Sequence, residues 1–234
     1  MQFVAFDIET AKPDVPDMRL WRSHRPLGIS CIASQTTRCA EPRVWFTRSE
    51  AGVPESRMSR QDVLAFVRYL RGQAEAGFVP LTWNGLSFDF DVLAEESGDL
   101  SECKALAMSH VDMMFHFFCS KGFPVALDKV AMGMNLPGKS KGVSGKEAPV
   151  LWASGNHQAV IDYVAQDVRT TLAVAQAAER LAEVSWLTQQ GRRSSMALPS
   201  GWLRVEQALE IPEPDTSWMT DPMRRDAFMG WIDS

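Results

Sequence analysis

Four acidic residues and a tyrosine fall in three short stretches whose types and spacing suit the binding of divalent cations. Phe6-Asp7-Ile8-Glu9-Thr10 closes an apolar run at the start of the chain, and Asn84-Gly85-Leu86-Ser87-Phe88-Asp89 follows a second apolar run. Tyr163-Val164-Ala165-Gln166-Asp167 lies inside a long stretch of helical periodicity. Gathered in one cleft, Asp7, Glu9, Asp89 and Asp167 would set four negative charges at a range where repulsion in a partly dry site is strong. Divalent cations relieve that repulsion, and a pair of them performs phosphoryl chemistry. Mg²⁺ or Mn²⁺, hard ions that seek oxygen, suit an all-carboxylate set.

The elements must aim these groups. Residues 2–8 read as a buried strand. Residues two apart in a strand share a face, so Asp7 and Glu9 leave the sheet together while Phe6 and Ile8 point into apolar packing. Asn84-Gly85 reads as a turn after a strand over 78–83. Ser87 is the expected cap of the following helix, Phe88 its anchor in the core, and Asp89 a first-turn carboxylate favoured by the helix dipole. Asp91 is the rival ligand, about 200° further round the helix. Only one of the two can face the site, and spacing alone leaves both open. Tyr163 and Asp167, four apart, share one face of a helix over 157–184 whose apolar side is Ile161, Val164, Val168, Leu172 and Ala175.

The remaining pattern predicts a loop over 12–26, strands over 27–34 and 43–47, and a helix over 60–76 capped by Ser59. Further helices are expected over 87–97, 112–119 and 127–134. Pro80 argues against a strand paired along both edges throughout. Residues 137–149, rich in Gly, Lys and Ser, predict a mobile loop without a packed element. The order is that of an α/β protein with a mixed sheet. Of 234 residues, 45% are hydrophobic, enough for one globular domain over 1–190. Residues 191–234, with Trp202, Trp218 and Trp231 among several prolines, read as a C-terminal appendage packed on it.

No apolar run of about 18 residues is present, so no membrane span is expected. The chain starts directly in strand-like sequence, so no signal peptide is expected and a cytoplasmic location is. The four cysteines, at 31, 39, 103 and 119, form no C-x-x-C pair and are expected to be buried reduced thiols. A net charge of −5 does not exclude a nucleic-acid partner, because bound cations restore positive potential where phosphate must sit. Local basic groups then matter more: Lys139, Lys141 and Lys146, and Arg19, Arg22 and Arg25 with Trp21 between them as a stacking surface.

In order, context and spacing the three motifs resemble the DEDD (DnaQ-like) superfamily of 3'-5' exonucleases, in its tyrosine-containing branch. The resemblance spans about residues 2–180 and includes Leu127-Asp-Lys-Val-Ala-Met-Gly-Met. It is similar to predicted bacterial or phage exonucleases related to the exonuclease domain of B-family DNA polymerases. It implies a ribonuclease-H-like fold, a mixed five-stranded sheet flanked by helices, and a two-metal 3'-5' exonuclease. It selects Asp89 over Asp91. It implies that Asp7 bridges two cations, that Glu9 and Asp167 hold the first, and that Asp89 acts on the second. The sister branch has histidine where this chain has Asp162, so Tyr163 is the expected group beside the attacking water. Thr10, Asn84, Phe88, Lys139 and Lys141 are the expected contacts to single-stranded or 3'-terminal nucleic acid, DNA ahead of RNA. A protein partner on the C-terminal segment is a further expectation.

Two other classes compete. Gly133-Met-Asn-Leu-Pro-Gly-Lys139-Ser140 fits the P-loop pattern, but that loop needs a strand before it and a helix after it, and a helix is predicted before it. A non-catalytic accessory module on the same fold is the other alternative. It is countered by the presence of all four carboxylates and the tyrosine.

Overall fold

The structure, a computed structural model, describes residues 1–138 and 143–233, without the side chain of Arg19. A five-stranded sheet runs in the order β3-β2-β1-β4-β5. Its strands are β1 (Phe3–Thr10), β2 (Ile29–Thr36), β3 (Arg43–Trp45), β4 (Val79–Thr82) and β5 (Val111–Asp112). β1 lies antiparallel to β2 and parallel to β4, β2 antiparallel to β3, and β4 parallel to β5. The expected mixed five-stranded sheet is therefore present, and the strand with the first acidic pair lies at its centre. Pro80 pairs with Val4 of β1, while β5 joins β4 only from Leu81 onward. The missing proline N–H thus falls where one edge of β4 has no strand beside it.

Helices cover both faces. α1 (Arg60–Glu75), α2 (Asp89–Ser97) and α3 (Leu100–Ser109) lie on one side. Their cluster takes Val4, Phe6 and Ile8 of β1, with Phe6 edge-on to Phe66 and Phe90. α7 (His157–Leu181), α5 (Leu127–Gly133) and α6 (Ala148–Ala153) lie on the other, packed with Phe3 and Ala5. The two-residue period of β1 therefore sends Asp7 and Glu9 toward α7, in line with Phe3 and Ala5. Val164, Val168, Leu172 and Ala175 of α7 are buried against that face, with Ile161 packed at its margin. Ser59 caps α1 by accepting from Asp62 N–H, as its type predicts.

Several expectations are corrected. The segment over 12–26 contains a 3₁₀ helix (Met18–His24). Residues 148 and 149 are not loop: Ala148 and Pro149 open α6 and are buried, proline being tolerated in a first helical turn. α3, β5 and the hairpin of β6 (Glu183–Leu187) with β7 (Arg193–Ala197) were not anticipated. Residue 190 lies in the turn of that hairpin. Gly133 ends α5, where a Cβ would meet backbone of β6 2.4 Å from Trp186 Cα; it is a packing glycine that follows helix rather than strand. Lys139 and Ser140 of the P-loop pattern lie outside the described residues. Cys31, Cys103 and Cys119 are buried, but Cys39 is exposed. Among the described residues no helix is long and apolar enough to cross a membrane.

The C-terminal segment adds α8 (Val205–Ala208) and α9 (Asp226–Met229) after α4 (Met113–Lys121). Trp202 and Trp231 are buried, while Trp218 is 67% exposed. His116 of α4 anchors the segment: its Nδ1 accepts from Leu203 N–H at 3.2 Å and its ring meets Trp202 edge-on. Burial lowers the His116 pKa to about 4 and that of His110 to about 3. A lowered folded pKa means the contribution of the neutral ring is complete above about 6.5 and lost as pH falls toward the folded value. Replacing His116 by Gln, which accepts the same bond without titrating, should spare the fold about 2 kcal/mol of the stability lost between pH 7 and pH 4.5. Urea unfolding at both pH values measures it. Equal losses in the two proteins would contradict a neutral buried His116.

Candidate metal centre

The acidic pair projects from the C-terminal half of β1, on the face that packs against α7. A cavity of about 300 Å³ between them is lined by Asp7, Glu9, Thr10, Phe88, Tyr163 and Asp167, with Gly145 and Lys146 closing one side. A Cβ at Gly145 would lie 3.9 Å from the Tyr163 hydroxyl, so that segment passes directly over the phenol. A second cavity of about 500 Å³ opens on the other side of the same carboxylates, lined by Asp7, Asn84, Asp128, Asp167, Trp83 and Val125 among others. Asp7 and Asp167 therefore border both hollows, a shared border termed the partition. Glu9, Tyr163 and Lys146 belong to one of them, Asn84 and Asp128 to the other.

Asp89 sits behind this partition. It is the first residue of α2, is buried, and its Oδ1 accepts from Ile8 N–H at 3.2 Å. Burial raises its pKa well above the carboxylate range, and the charges of Asp7 and Asp112 raise it further against two N–H bonds that lower it. A buried acid beside like charges favours its neutral form unless a cation arrives. Cys31, across from Glu9 on β2, is likewise held as a thiol by burial and by Glu9 and Asp7.

Among the described residues no three acidic, histidine or cysteine side chains are gathered closely enough to form a closed cluster for an ion. That does not disfavour Mg²⁺ or Mn²⁺. Mg²⁺ keeps several waters and binds through one or two carboxylates plus substrate phosphate, unlike a structural Zn²⁺ site. Oxygen donors on two walls of an open cavity fit that mode.

The rival carboxylate faces elsewhere. Asp91 accepts from Arg22 at 3.1 Å and pairs with Arg25 at 2.5 Å, on the opposite side of α2. Arg22 and Arg25 also lie over Trp21, whose edge meets Phe88 at 5.1 Å between centroids. This corrects the expectation for the 12–26 segment. Trp21 is buried rather than open for stacking, and both arginines tie that segment to α2. Ser87 does not cap α2; its hydroxyl donates to Asn84 Oδ1 at 2.6 Å, and Phe88 holds the cap position. Phe88, half-buried, packs against the core beside Trp21, as expected, and also lines the smaller cavity. Lys139 and Lys141 lie outside the described residues.

Residues 103–203, from α3 to just beyond β7, match a family model. The family is that of the predicted 3'-5' exonuclease related to the exonuclease domain of PolB. The match covers Tyr163 and Asp167 but not the first two motifs, and it accords with the resemblance read from the sequence. The family B DNA polymerase of the hyperthermophilic archaeon Pyrobaculum calidifontis superposes with a TM-score of 0.57 at 20% identity, over 89% of this chain. The chain spans 27% of the length of that polymerase. The fold is thus ribonuclease-H-like, similar to the exonuclease domain of B-family polymerases. E. coli Exonuclease I, solved with a 5cy-dA13 oligonucleotide, matches more loosely, with a TM-score of 0.39 at 15% identity over 76% of this chain and 40% of its own. No curated protein matches the sequence.

Asp128 and Asp112 were not singled out in the sequence. Asp128 opens α5 and borders the larger cavity, a position signalled only by its place in the Leu127-Asp-Lys stretch. Asp112 gave no local signal, because β5, which it ends, is two residues long.

Proposed function

We propose that the chain is a metal-dependent 3'-5' exonuclease that hydrolyses the terminal phosphodiester bond at the 3' end of nucleic acid, with DNA as the first substrate to test. The observation that carries this reading is the partition: Asp7 and Asp167 border both cavities, and Glu9, Tyr163 and Lys146 border one. Acid–base help from one side chain supplies about 10²–10⁴-fold, well short of the roughly 8–23 kcal/mol that enzymes remove from such barriers. Two divalent cations, when bound, would supply the rest by lowering the pKa of a water and stabilising the leaving 3'-oxygen.

In this reading Asp7 bridges the two positions, Glu9 and Asp167 hold the first, and Asp89 acts on the second, partly through water. Because the reference pKa of a free phenol is near 10, too high for a base at neutral pH, Tyr163 is assigned to orient the water or a non-bridging oxygen. Lys146 supplies a point charge for the same phosphate. Thr10, Asn84 and Phe88 contact the terminal nucleotide, and Lys139 and Lys141 the backbone beyond it. Residues 1–190 act as the exonuclease domain and 191–234 as an appendage on which a protein partner can dock. A reducing, cytoplasmic setting suits four free cysteines.

The test uses 5'-labelled single-stranded DNA, RNA and recessed duplexes, with Mn²⁺ or with EDTA. A metal-dependent ladder that shortens from the 3' end supports the proposal. Binding without cleavage would make the chain an accessory module, internal cuts an endonuclease, and ATP hydrolysis without cleavage would revive the P-loop alternative.

A further inference from the structure

The turn between β4 and α2 carries Asn84 to the larger cavity and delivers Asp89 to the back of the partition. Asn84 stands at φ 77°, a left-handed conformation that asparagine adopts more readily than most residues but that still needs support from its surroundings. The support comes from Thr82 just before the turn and from two side chains distant in sequence. Asn84 N–H donates to Asp112 Oδ1 at 3.0 Å, Gly85 N–H to Thr82 Oγ1 at 3.0 Å, and Leu86 N–H to Asp112 Oδ2 at 2.9 Å. Three successive peptide donors are thus each taken by a side-chain oxygen. The acceptor side is held too, because Leu86 carbonyl accepts from Trp231 Nε1 at 2.7 Å.

The holding groups are fixed in turn. Thr82 Oγ1 lies 3.0 Å from His110 Nε2, and His110 Nδ1 faces Ala107 carbonyl. With Nδ1 the donor to that carbonyl, Nε2 accepts from Thr82, whose oxygen is left to receive Gly85 N–H. Asp112 Oδ1 also accepts from Phe115 N–H at 3.0 Å and caps α4. Asp112, Thr82 and Trp231 are all buried, and a Cβ at Gly85 would clash with Thr82 at 2.4 Å, so the turn has no slack on that side. Buried polar groups so completely matched rigidify what they hold.

We propose that Asp112, Thr82 and Trp231 are positioning residues of the candidate metal centre: together they clamp the Asn84–Leu86 turn and so fix Asn84 and Asp89 relative to Asp7. The inference rests on the carboxylates being cation ligands, and it gives the C-terminal segment a part in building the site. Outer groups that orient ligands typically change metal affinity 10–100-fold when removed.

Three variants separate positioning from plain stability. Asp112→Ser keeps an oxygen able to cap α4 but is too short to reach the turn. Thr82→Val keeps shape and charge and loses the hydroxyl. Trp231→Phe keeps an aromatic ring and loses the N–H donor together with part of the indole's volume. Mn²⁺ binding is read by electron paramagnetic resonance, and amide exchange is read at residues 84–89. Asp112→Ser should weaken Mn²⁺ binding about 10-fold or more, and Thr82→Val and Trp231→Phe severalfold. Each should speed exchange in the turn while the exchange of β1 and α7 stays native, and each should lower kcat more than it raises KM. Thr82→Val alters no charge, so its loss reports geometry alone. Folded variants with Mn²⁺ affinity within twofold of the parent and unaltered turn exchange would overturn the proposal. A parent protein that binds no Mn²⁺ would overturn the metal centre itself, and turn exchange in the variants would then decide the clamp separately.

Discussion

Asp7→Ala is expected to remove 3'-end shortening altogether, while Tyr163→Phe keeps a measurable fraction, roughly 10- to 100-fold below the parent. The contrast follows from where each side chain acts. Asp7 lies on the partition between the two cavities and is the carboxylate both cation positions would share. On the proposed reading, its removal would weaken both the cation that activates the water and the one that stabilises the leaving oxygen. Tyr163 is buried and borders the smaller cavity but not the larger one. Its phenol orients without carrying charge, and water retains much of that role when the hydroxyl is lost. Single-turnover rates on a 5'-labelled oligonucleotide at saturating Mn²⁺ measure both. Parental activity in Tyr163→Phe would remove the tyrosine from the mechanism, and parental activity in Asp7→Ala would remove the site.

The second large effect is on stability. Mn²⁺ at about 100 times its dissociation constant should stabilise the fold by about 2.7 kcal/mol, since it binds folded protein only. For a chain of this length that is a rise of roughly 5–10 °C in melting temperature. The effect should grow with pH. The pKa of Asp89 is raised by burial and by the charges of Asp7 and Asp112, so its favourable neutral form is present at low pH and lost as pH rises through the folded value. A cation offsets the ionised form, and metal stabilisation is therefore larger at pH 8 than at pH 6. Without metal, Asp7→Asn should melt above the parent at neutral pH, because it removes the charge nearest in effect to Asp89. Melting curves in EDTA and in Mn²⁺ at both pH values test this. A melting temperature unmoved by millimolar Mn²⁺ would contradict a native cation site, and a lower one for Asp7→Asn in EDTA would contradict charge crowding.

Much of the scaffold is legible from patterns that burial imposes on residue type. β1 alternates between two packed faces, and α7 repeats its buried apolar residues from Val160 to Ala178, over about five turns. The same periodicities that identify these elements also fix where Asp7, Glu9, Tyr163 and Asp167 point. Asp91 could not be dismissed by spacing alone; its exclusion required two arginines from a segment more than sixty residues away. Those arginines and Trp21 read as free substrate contacts because the sequence does not show that Asp91 and Phe88 occupy them. β5 was invisible because two residues have no period, and with it went Asp112. α6 was hidden by the Gly, Lys and Ser residues before it, although Pro149 is compatible with a first helical turn. The β6–β7 hairpin did leave a signal: Val184 and Trp186 alternate with polar neighbours ahead of Gly191, which turns at φ 73°.

On the proposed reading Asp7, Glu9, Asp89 and Asp167 serve one pair of cations from a strand, a helix start and a mid-helix turn. Crystals grown with Mn²⁺ and a short single-stranded oligonucleotide, measured for anomalous scattering, test it most directly. The account predicts manganese peaks in the partition between the two cavities, with Asp7 as a ligand of both and the 3'-terminal phosphate as a further ligand. No anomalous peak within coordination distance of Asp7 and Asp167, with the oligonucleotide bound elsewhere on the protein, would contradict it.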